Sequence, residues 1–144
     1  MERTLLQESL VLTRSFPVAP EKVWHAWIDA EALRVWFAQT ESPRWLAELD
    51  VRVGGRYRFI LREPGGAYYT VRGIYREIEP NRRLVFTWSQ HDSPFDGEAL
   101  ITVELRPAGS GTELTFTLDP VFDPRSPDAW RGDFKRLARL LHTD

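Results

Sequence analysis

The feature that most constrains the fold is a regular series of turn signals between residues 54 and 119. Glycine and proline cluster at five points in this stretch, and both residues favour turns over continued strands. The five points are Gly54-Gly55, Pro64 to Gly66, Pro80-Asn81, Pro94 to Gly97 and Pro107 to Gly111. Strand-like runs lie between and after them, at 56–62, 68–79, 83–89, 98–106 and 112–119. Short connections between such runs predict an antiparallel meander.

The first run of the meander indicates which side chains face the interior. Tyr57 and Phe59 alternate with Arg56, Arg58 and Arg62. Alternation with a period of two places the two sets on opposite faces of a strand. We therefore expect aromatic rings on the inner face of the sheet and a row of arginines on its outer face.

The segment before the meander adds two strands and two short helices. Residues 5–16 alternate as a strand, and residues 45–49 form another, which brings the total to seven. Between them, Pro20 suits the first turn of a helix that ends near Ile28. Asp29 suits the N-cap of a second short helix that carries Leu33, Trp36 and Phe37.

The period changes again after Pro124. Ser126 is a good N-cap and Pro127 suits the first helical position. Apolar residues then recur every three or four positions, at Trp130, Phe134, Leu137 and Leu141. This spacing predicts a C-terminal helix of about four turns with one apolar stripe, which requires an apolar surface such as the inner face of the sheet.

Length and composition limit the function. The 144 residues predict one domain, and a net charge of −2 argues against nucleic-acid binding. The sequence contains no cysteine, which excludes disulfides and thiolate metal sites, and it contains no apolar run of about 18 residues that could span a membrane. The N-terminus does not resemble a secretory signal, so we expect a cytoplasmic protein without membrane insertion.

Several motifs together resemble one known family. Residues 14–16 and 19–27, Trp36, residues 50–57, 73–80 and 83–88, residues 111–114, and Trp130 with Phe134 and Leu137 carry the resemblance. This set is similar to the SRPBCC proteins related to the C-terminal domain of the activator of heat-shock protein 90 ATPase. The resemblance implies an α+β helix-grip fold, also called Bet v 1-like or START-like, over residues 1–144. In that fold a curved seven-stranded antiparallel sheet wraps around the long C-terminal helix, and two short helices follow the first strand.

The fold also implies a ligand cavity between the sheet and the last helix. The predicted ligand-binding residues are those that strand parity and helix spacing turn inward, with Trp36 and Trp45 at one end. They are Trp36, Trp45, Tyr57, Phe59, Tyr69, Phe86, Trp88, Ile101, Phe116, Trp130 and Phe134. The phenols of Tyr57 and Tyr69 are the expected orienting groups, since a buried hydroxyl needs a partner. The alternative is that these rings pack on one another and leave no cavity.

Support for catalysis or metal binding is weak. His25, His91 and His142 fall on a helix, in a loop and near the C-terminus, with no reason to converge. The sequence contains no nucleophile elbow, zinc-protease motif or phosphate-binding loop, and we expect neither a catalytic residue, a metal nor a cofactor. The outer arginines, at positions 56, 58, 62, 72 and 76, indicate either a solvated face or a docking surface for an acidic protein.

The expected function is therefore binding of a small hydrophobic or amphipathic molecule without catalysis. Two alternatives follow from the resemblance. The first is a co-chaperone that stimulates heat-shock protein 90, and the second is a cyclase, dehydratase or hydrolase of the kind found among SRPBCC proteins. The sequence does not distinguish a monomer from a homodimer.

Overall fold

A computed structural model describes residues 9–37, 46–62, 68–91, 98–119 and 127–142. It contains seven strands, at Leu10–Phe16 (β1), Leu46–Leu49 (β2), Arg56–Arg62 (β3), Tyr68–Glu79 (β4), Arg83–His91 (β5), Glu98–Ala108 (β6) and Gly111–Asp119 (β7). Three helices accompany them, at Pro20–Ile28 (α1), Ala30–Trp36 (α2) and Pro127–His142 (α3). The predicted elements are all present, although residues 5–8, Trp45 and Ser126 lie outside the described ranges.

All seven strands belong to one antiparallel sheet. Their order is β1-β7-β6-β5-β4-β3-β2, so strands β3 to β7 form the predicted meander and β2 extends it by one strand. The first strand lies beside the last, where Leu12 pairs with Phe116. This pairing brings the N-terminal strand to one edge of the sheet and leaves the short strand β2 at the other.

The helix boundaries follow the local signals. Pro20 begins α1 without a side-chain cap, as proline can at a position whose N–H has no helical partner. The Asp29 carboxylate accepts a hydrogen bond from the backbone N–H of Ala32 at 3.0 Å, which confirms it as the N-cap of α2. The helix α3 buries the predicted stripe of Trp130, Phe134, Leu137 and Leu141.

The turn before β3 depends on its two glycines. Gly54 adopts a φ of 86°, which favours glycine, and a Cβ on Gly55 would lie 2.1 Å from the carbonyl oxygen of Asp50. The N–H of Gly54 donates to the carbonyl of Tyr75 at 2.8 Å, and the N–H of Tyr75 donates to the carbonyl of Gly55 at 2.9 Å. The turn is thereby fixed to β4, and this connection sets the start of β3.

The inner face of the sheet and the three helices enclose one hydrophobic core. Buried side chains alternate with exposed ones along β6 and β7, as the sequence pattern predicts. The core combines residues of all three helices with those of the inner face. The protein thus has the α+β helix-grip architecture, with a seven-stranded antiparallel sheet and a C-terminal helix on one face. None of the described helices is long and apolar enough to cross a bilayer.

Candidate functional site

The residues predicted to bind a ligand come together in the core between the sheet and α3. Nine of the eleven have described side chains, and none of these is more than 7% exposed. The nine are Trp36, Tyr57, Phe59, Phe86, Trp88, Ile101, Phe116, Trp130 and Phe134. Trp45 lies outside the described residues, and Tyr69 belongs to β4 although its side chain is outside the description.

Aromatic rings from α3 form the centre of this cluster. The ring centroid of Trp130 lies 4.7 Å from that of Phe116 and 5.3 Å from that of Trp88. The Phe134 ring meets Phe116 edge to face, with centroids 5.3 Å apart. The two Trp130 pairs are tilted, and all three centroid separations are typical of favourable aromatic contacts. Ring contacts therefore help to attach α3 to the sheet.

A small apolar cavity lies inside the cluster. The volume open to the centre of a water molecule is about 20 Å³. Its lining consists of Trp27, Leu33, Trp36, Phe37, Tyr57, Phe59, Tyr75, Leu84, Phe86, Trp88 and Trp130. Six of these were predicted from the sequence, whereas Ile101, Phe116 and Phe134 belong to the same core without lining the cavity. In this structure the rings fill most of the space between sheet and helix.

Sequence reasoning missed five lining residues. Tyr75 has the same parity as Tyr69 on β4, so extending the alternation along that strand would have found it. Trp27 is one of the buried residues of α1, a helix for which the sequence predicted only the bounds. The ring of Phe37, the first residue after α2, lies 5.4 Å from Phe59 and 5.8 Å from Trp88. The sequence grouped Phe37 with Leu33 and Trp36 on this helix but did not place it at a cavity.

The Tyr57 phenol forms a hydrogen bond within the protein. Its hydroxyl donates to the backbone carbonyl of Thr87 at 2.5 Å, and the Thr87 hydroxyl accepts from the backbone N–H of Ile74 at 2.9 Å. The first bond joins β3 to β5 across β4, and the second joins β4 to β5 through a side chain instead of the backbone ladder. Burial, with a smaller contribution from Tyr75, raises the pKa of Tyr57 well above 10.0. The phenol is therefore neutral at physiological pH, and its proton is used in the hydrogen bond to the Thr87 carbonyl.

Gly73 makes room for this arrangement. It pairs with Tyr57 across β3 and β4. A Cβ at Gly73 would lie 2.0 Å from the carbonyl oxygen of Thr87 and 2.7 Å from a ring carbon of Tyr57. Any larger residue would push either the ring or β5 away, so the tyrosine position depends on this glycine.

The outer face of the sheet carries a second, wider depression, which we call the outer cleft. Its volume is about 500 Å³. The outer cleft is lined by Glu48, Arg56, Tyr57, Arg58, Arg72, Gly73, Ile74, Thr87, Ser89 and Glu98. Three arginines and two glutamates give the lining a net charge of +1. Tyr57 belongs to both linings.

Ion pairs cover much of the rest of the outer face. Arg83 contacts the carboxylates of Glu77 and Glu104 at 2.9 and 2.5 Å, and the hydrogen bond that it donates to Glu77 raises the pKa of Arg83. Within the outer cleft, Arg58 contacts Glu48 at 2.7 Å. Arg56 forms no ion pair with another described residue, which leaves its positive charge available to a ligand or partner.

The described residues offer no cluster of three histidine, aspartate or glutamate side chains that could hold a metal ion. The imidazole of His25 is 68% exposed and lies 4.0 Å from the carboxylate of Asp29. The side chains of His91 and His142 fall outside the description. His25 therefore does not form a general base with a fixed partner.

Comparison with known proteins agrees with the architecture. A crystal structure of a Chromobacterium violaceum protein matches with a TM-score of 0.82 and 26% identity over 95% of this chain and 99% of that one. A Rhizobium leguminosarum protein matches with a TM-score of 0.83 and 25% identity over 96% of each chain. A third match, from Rhizobium loti, has a TM-score of 0.78 and 28% identity over 92% of this chain and 96% of that one.

Functionally curated proteins provide no significant match to the sequence. A family model does match, and its description is "Activator of Hsp90 ATPase homolog 1-like protein". The match covers residues 17–142, which includes every helix and six of the seven strands. The chain therefore belongs to the family of activator of Hsp90 ATPase homolog 1-like proteins.

Proposed function

We propose that the protein binds a small apolar or amphipathic molecule between the inner face of the sheet and α3. The observation that carries the proposal is the cavity in the aromatic cluster, whose lining comes from α1, α2, α3 and the sheet. Its surface is hydrocarbon and aromatic apart from indole and phenol groups. Pockets of this composition, with few polar groups, are typical of sites for small molecules.

Binding requires the cavity to enlarge. The present volume of about 20 Å³ is enough for about one water molecule, whereas cavities that hold benzene are about 150 Å³. Phe37 is the residue best placed to make room, because it follows the last residue of α2 and is not held within a strand or helix. Its ring is in contact distance of Phe59, Trp88 and Trp130, so its withdrawal would join the cavity to the space it leaves.

Native mass spectrometry of protein purified from its own host tests the proposal directly. We expect a stoichiometric apolar compound that is released on denaturation. Ligand at a hundredfold excess over its dissociation constant should stabilise the fold by about 2.7 kcal/mol. The compound should be recovered chemically unchanged after incubation, since we propose binding without turnover.

The matched variants are Phe37→Ala and Val11→Ala. The first widens the cavity and should increase the affinity for the recovered compound, whereas the second removes an exposed side chain, 56% accessible, on the outer face and should not change it. A bare mass, together with a ligand panel that leaves the melting temperature of both variants unmoved, would overturn the proposal.

A second candidate function rests on the outer cleft. The family description names an activator of the Hsp90 ATPase, and the outer cleft presents Arg56 without an ion pair to another described residue. We propose as the alternative that this surface contacts an acidic face of such a chaperone. Adding the protein should then raise the chaperone's ATP turnover, and the double substitution Arg56→Glu and Arg58→Glu should abolish the effect. Arg106→Glu, outside the outer cleft, is the control.

A further inference from the structure

Trp27 combines deep burial with a position on the cavity wall. The residue is 6% exposed, and its ring lies 4.7 Å from the ring of Trp36 and 6.2 Å from that of Phe134. It lines the cavity together with Trp36 and Phe37. Its indole is therefore one of the groups that a molecule in the cavity would touch.

The indole N–H of Trp27 has no hydrogen-bond acceptor among the residues that the structure describes, although the nitrogen is buried. The neighbouring Trp36 shows the usual solution, since its indole N–H donates to the carbonyl of Ala26 at 2.9 Å. A buried donor without an acceptor is unfavourable, and such groups in native proteins are uncommon. A phenylalanine would supply a similar apolar surface at this position without that disadvantage.

The cavity lining offers this donor no acceptor. The Tyr57 hydroxyl, a polar group of the same lining, is already bonded to the backbone of Thr87. A single water could fit in about 20 Å³, but an internal water is normally held by two to four polar partners. The lining contains no arginine, lysine or histidine, so an ionised ligand would enter without a counter-charge.

From these observations we infer that the ligand is neutral and carries a hydrogen-bond acceptor that Trp27 binds through its indole N–H. The inference rests on the proposed function and specifies its ligand class. Ketones, esters, ethers and alcohols with a mainly hydrocarbon body fulfil the requirement. Pure hydrocarbons would fill the space and leave the donor unsatisfied, and carboxylates would add an uncompensated charge.

Two probes of the same shape isolate the hydrogen bond. Cyclohexanone has a carbonyl where methylenecyclohexane has a C=CH₂ group, so the pair differs mainly in the acceptor. Affinities of both probes are measured for the native chain and for Trp27→Phe. We expect the ratio of the two affinities to shift about tenfold toward the hydrocarbon in the variant, which corresponds to one buried hydrogen bond.

The indole N–H resonances give a readout that does not depend on the variant's stability. In protein labelled with ¹⁵N, cyclohexanone should move the Trp27 N–H proton downfield, and methylenecyclohexane should not. Equal affinity ratios in both proteins and equal shifts with both probes would overturn the inference while leaving the proposed function intact. If neither probe perturbs any resonance of the cavity up to its solubility limit, and protein from its own host carries no compound, the proposed function itself fails, and this inference fails with it.

Discussion

The inner face of the sheet is filled by aromatic rings that contact one another, whereas the outer face carries charged pairs in contact with water. Inside, Trp130 lies 4.7 Å from Phe116 and is 1% exposed. Outside, Arg58 contacts Glu48 at 2.7 Å, yet the two side chains are 47% and 55% exposed. Solvent screens the outer pairs, so most of the stabilising free energy comes from the inner face.

The strongest test of this difference removes the central ring of the inner face. Trp130→Ala should lower the free energy of unfolding by about 3–5 kcal/mol, because the indole contacts Phe37, Trp88 and Phe116 and the space it leaves cannot collapse fully. Urea denaturation measures the change. The control, Arg56→Ala on the outer face, should remain within about 0.5 kcal/mol of the native chain. Equal losses in the two variants would disprove the proposed distribution of stability.

The ion pairs on the two sides of the sheet also differ in how deeply their side chains are buried. Arg136 bonds the carboxylate of Asp133, which is fully buried, and its Nε donates to the carbonyl of Trp36 at 3.1 Å. Arg136→Met should therefore cost about 2–4 kcal/mol, since the carboxylate loses this guanidinium in a buried setting. Arg58→Met on the outer face should cost at most about 1 kcal/mol. Both values come from urea denaturation, and added salt should weaken only the outer pair.

Gly73 lies between Tyr57 and Thr87, and all three residues line the outer cleft. Gly73→Ala should cost about 1–3 kcal/mol, because the new Cβ would lie 2.0 Å from the Thr87 carbonyl oxygen. Gly132→Ala in α3 is the matched control, since its Cβ would have no neighbour closer than 3.9 Å. Alanine favours helix over glycine, so this control should raise stability by up to about 1 kcal/mol. A neutral Gly73 variant would mean that β4 and β5 separate easily.

Much of the architecture was predictable because local signals agree with the global fold. Period-two alternation bounded by glycine and proline located β3 to β7, and Asp29 located α2 through its side-chain cap. The order of the strands was also predictable, because short turns leave a meander few alternatives. These features depend on residues near one another in the sequence.

The candidate site was predictable only in part, because a cavity depends on how finely the side chains pack. Parity turned Phe116 and Trp88 inward alike, but only Trp88 borders the cavity. The bond from Tyr57 to the carbonyl of Thr87 joins residues 30 positions apart and depends on Gly73, so no sequence pattern predicts it. The same is true of the Trp27 N–H. Its lack of an acceptor is evident only from the positions of the surrounding described atoms.

Tyr57 lines both the inner cavity and the outer cleft. Its hydroxyl allows the test with the smallest expected effect. Tyr57→Phe should cost roughly 1 kcal/mol near pH 7, since it removes the hydrogen bond to Thr87.

Burial raises the pKa of both Tyr57 and Tyr75, so the folded chain retains protons that the unfolded chain releases above about pH 10. Stability is thus complete below pH 10 and should fall as the pH rises further, by about 1.4 kcal/mol per pH unit for each tyrosine. Urea denaturation between pH 10 and pH 11 should show a smaller loss of stability per pH unit in Tyr57→Phe than in the native chain, with Tyr75 still contributing. An unchanged slope would show that the Tyr57 phenol is open to solvent in the folded chain. That result would contradict its burial between the two faces of the sheet.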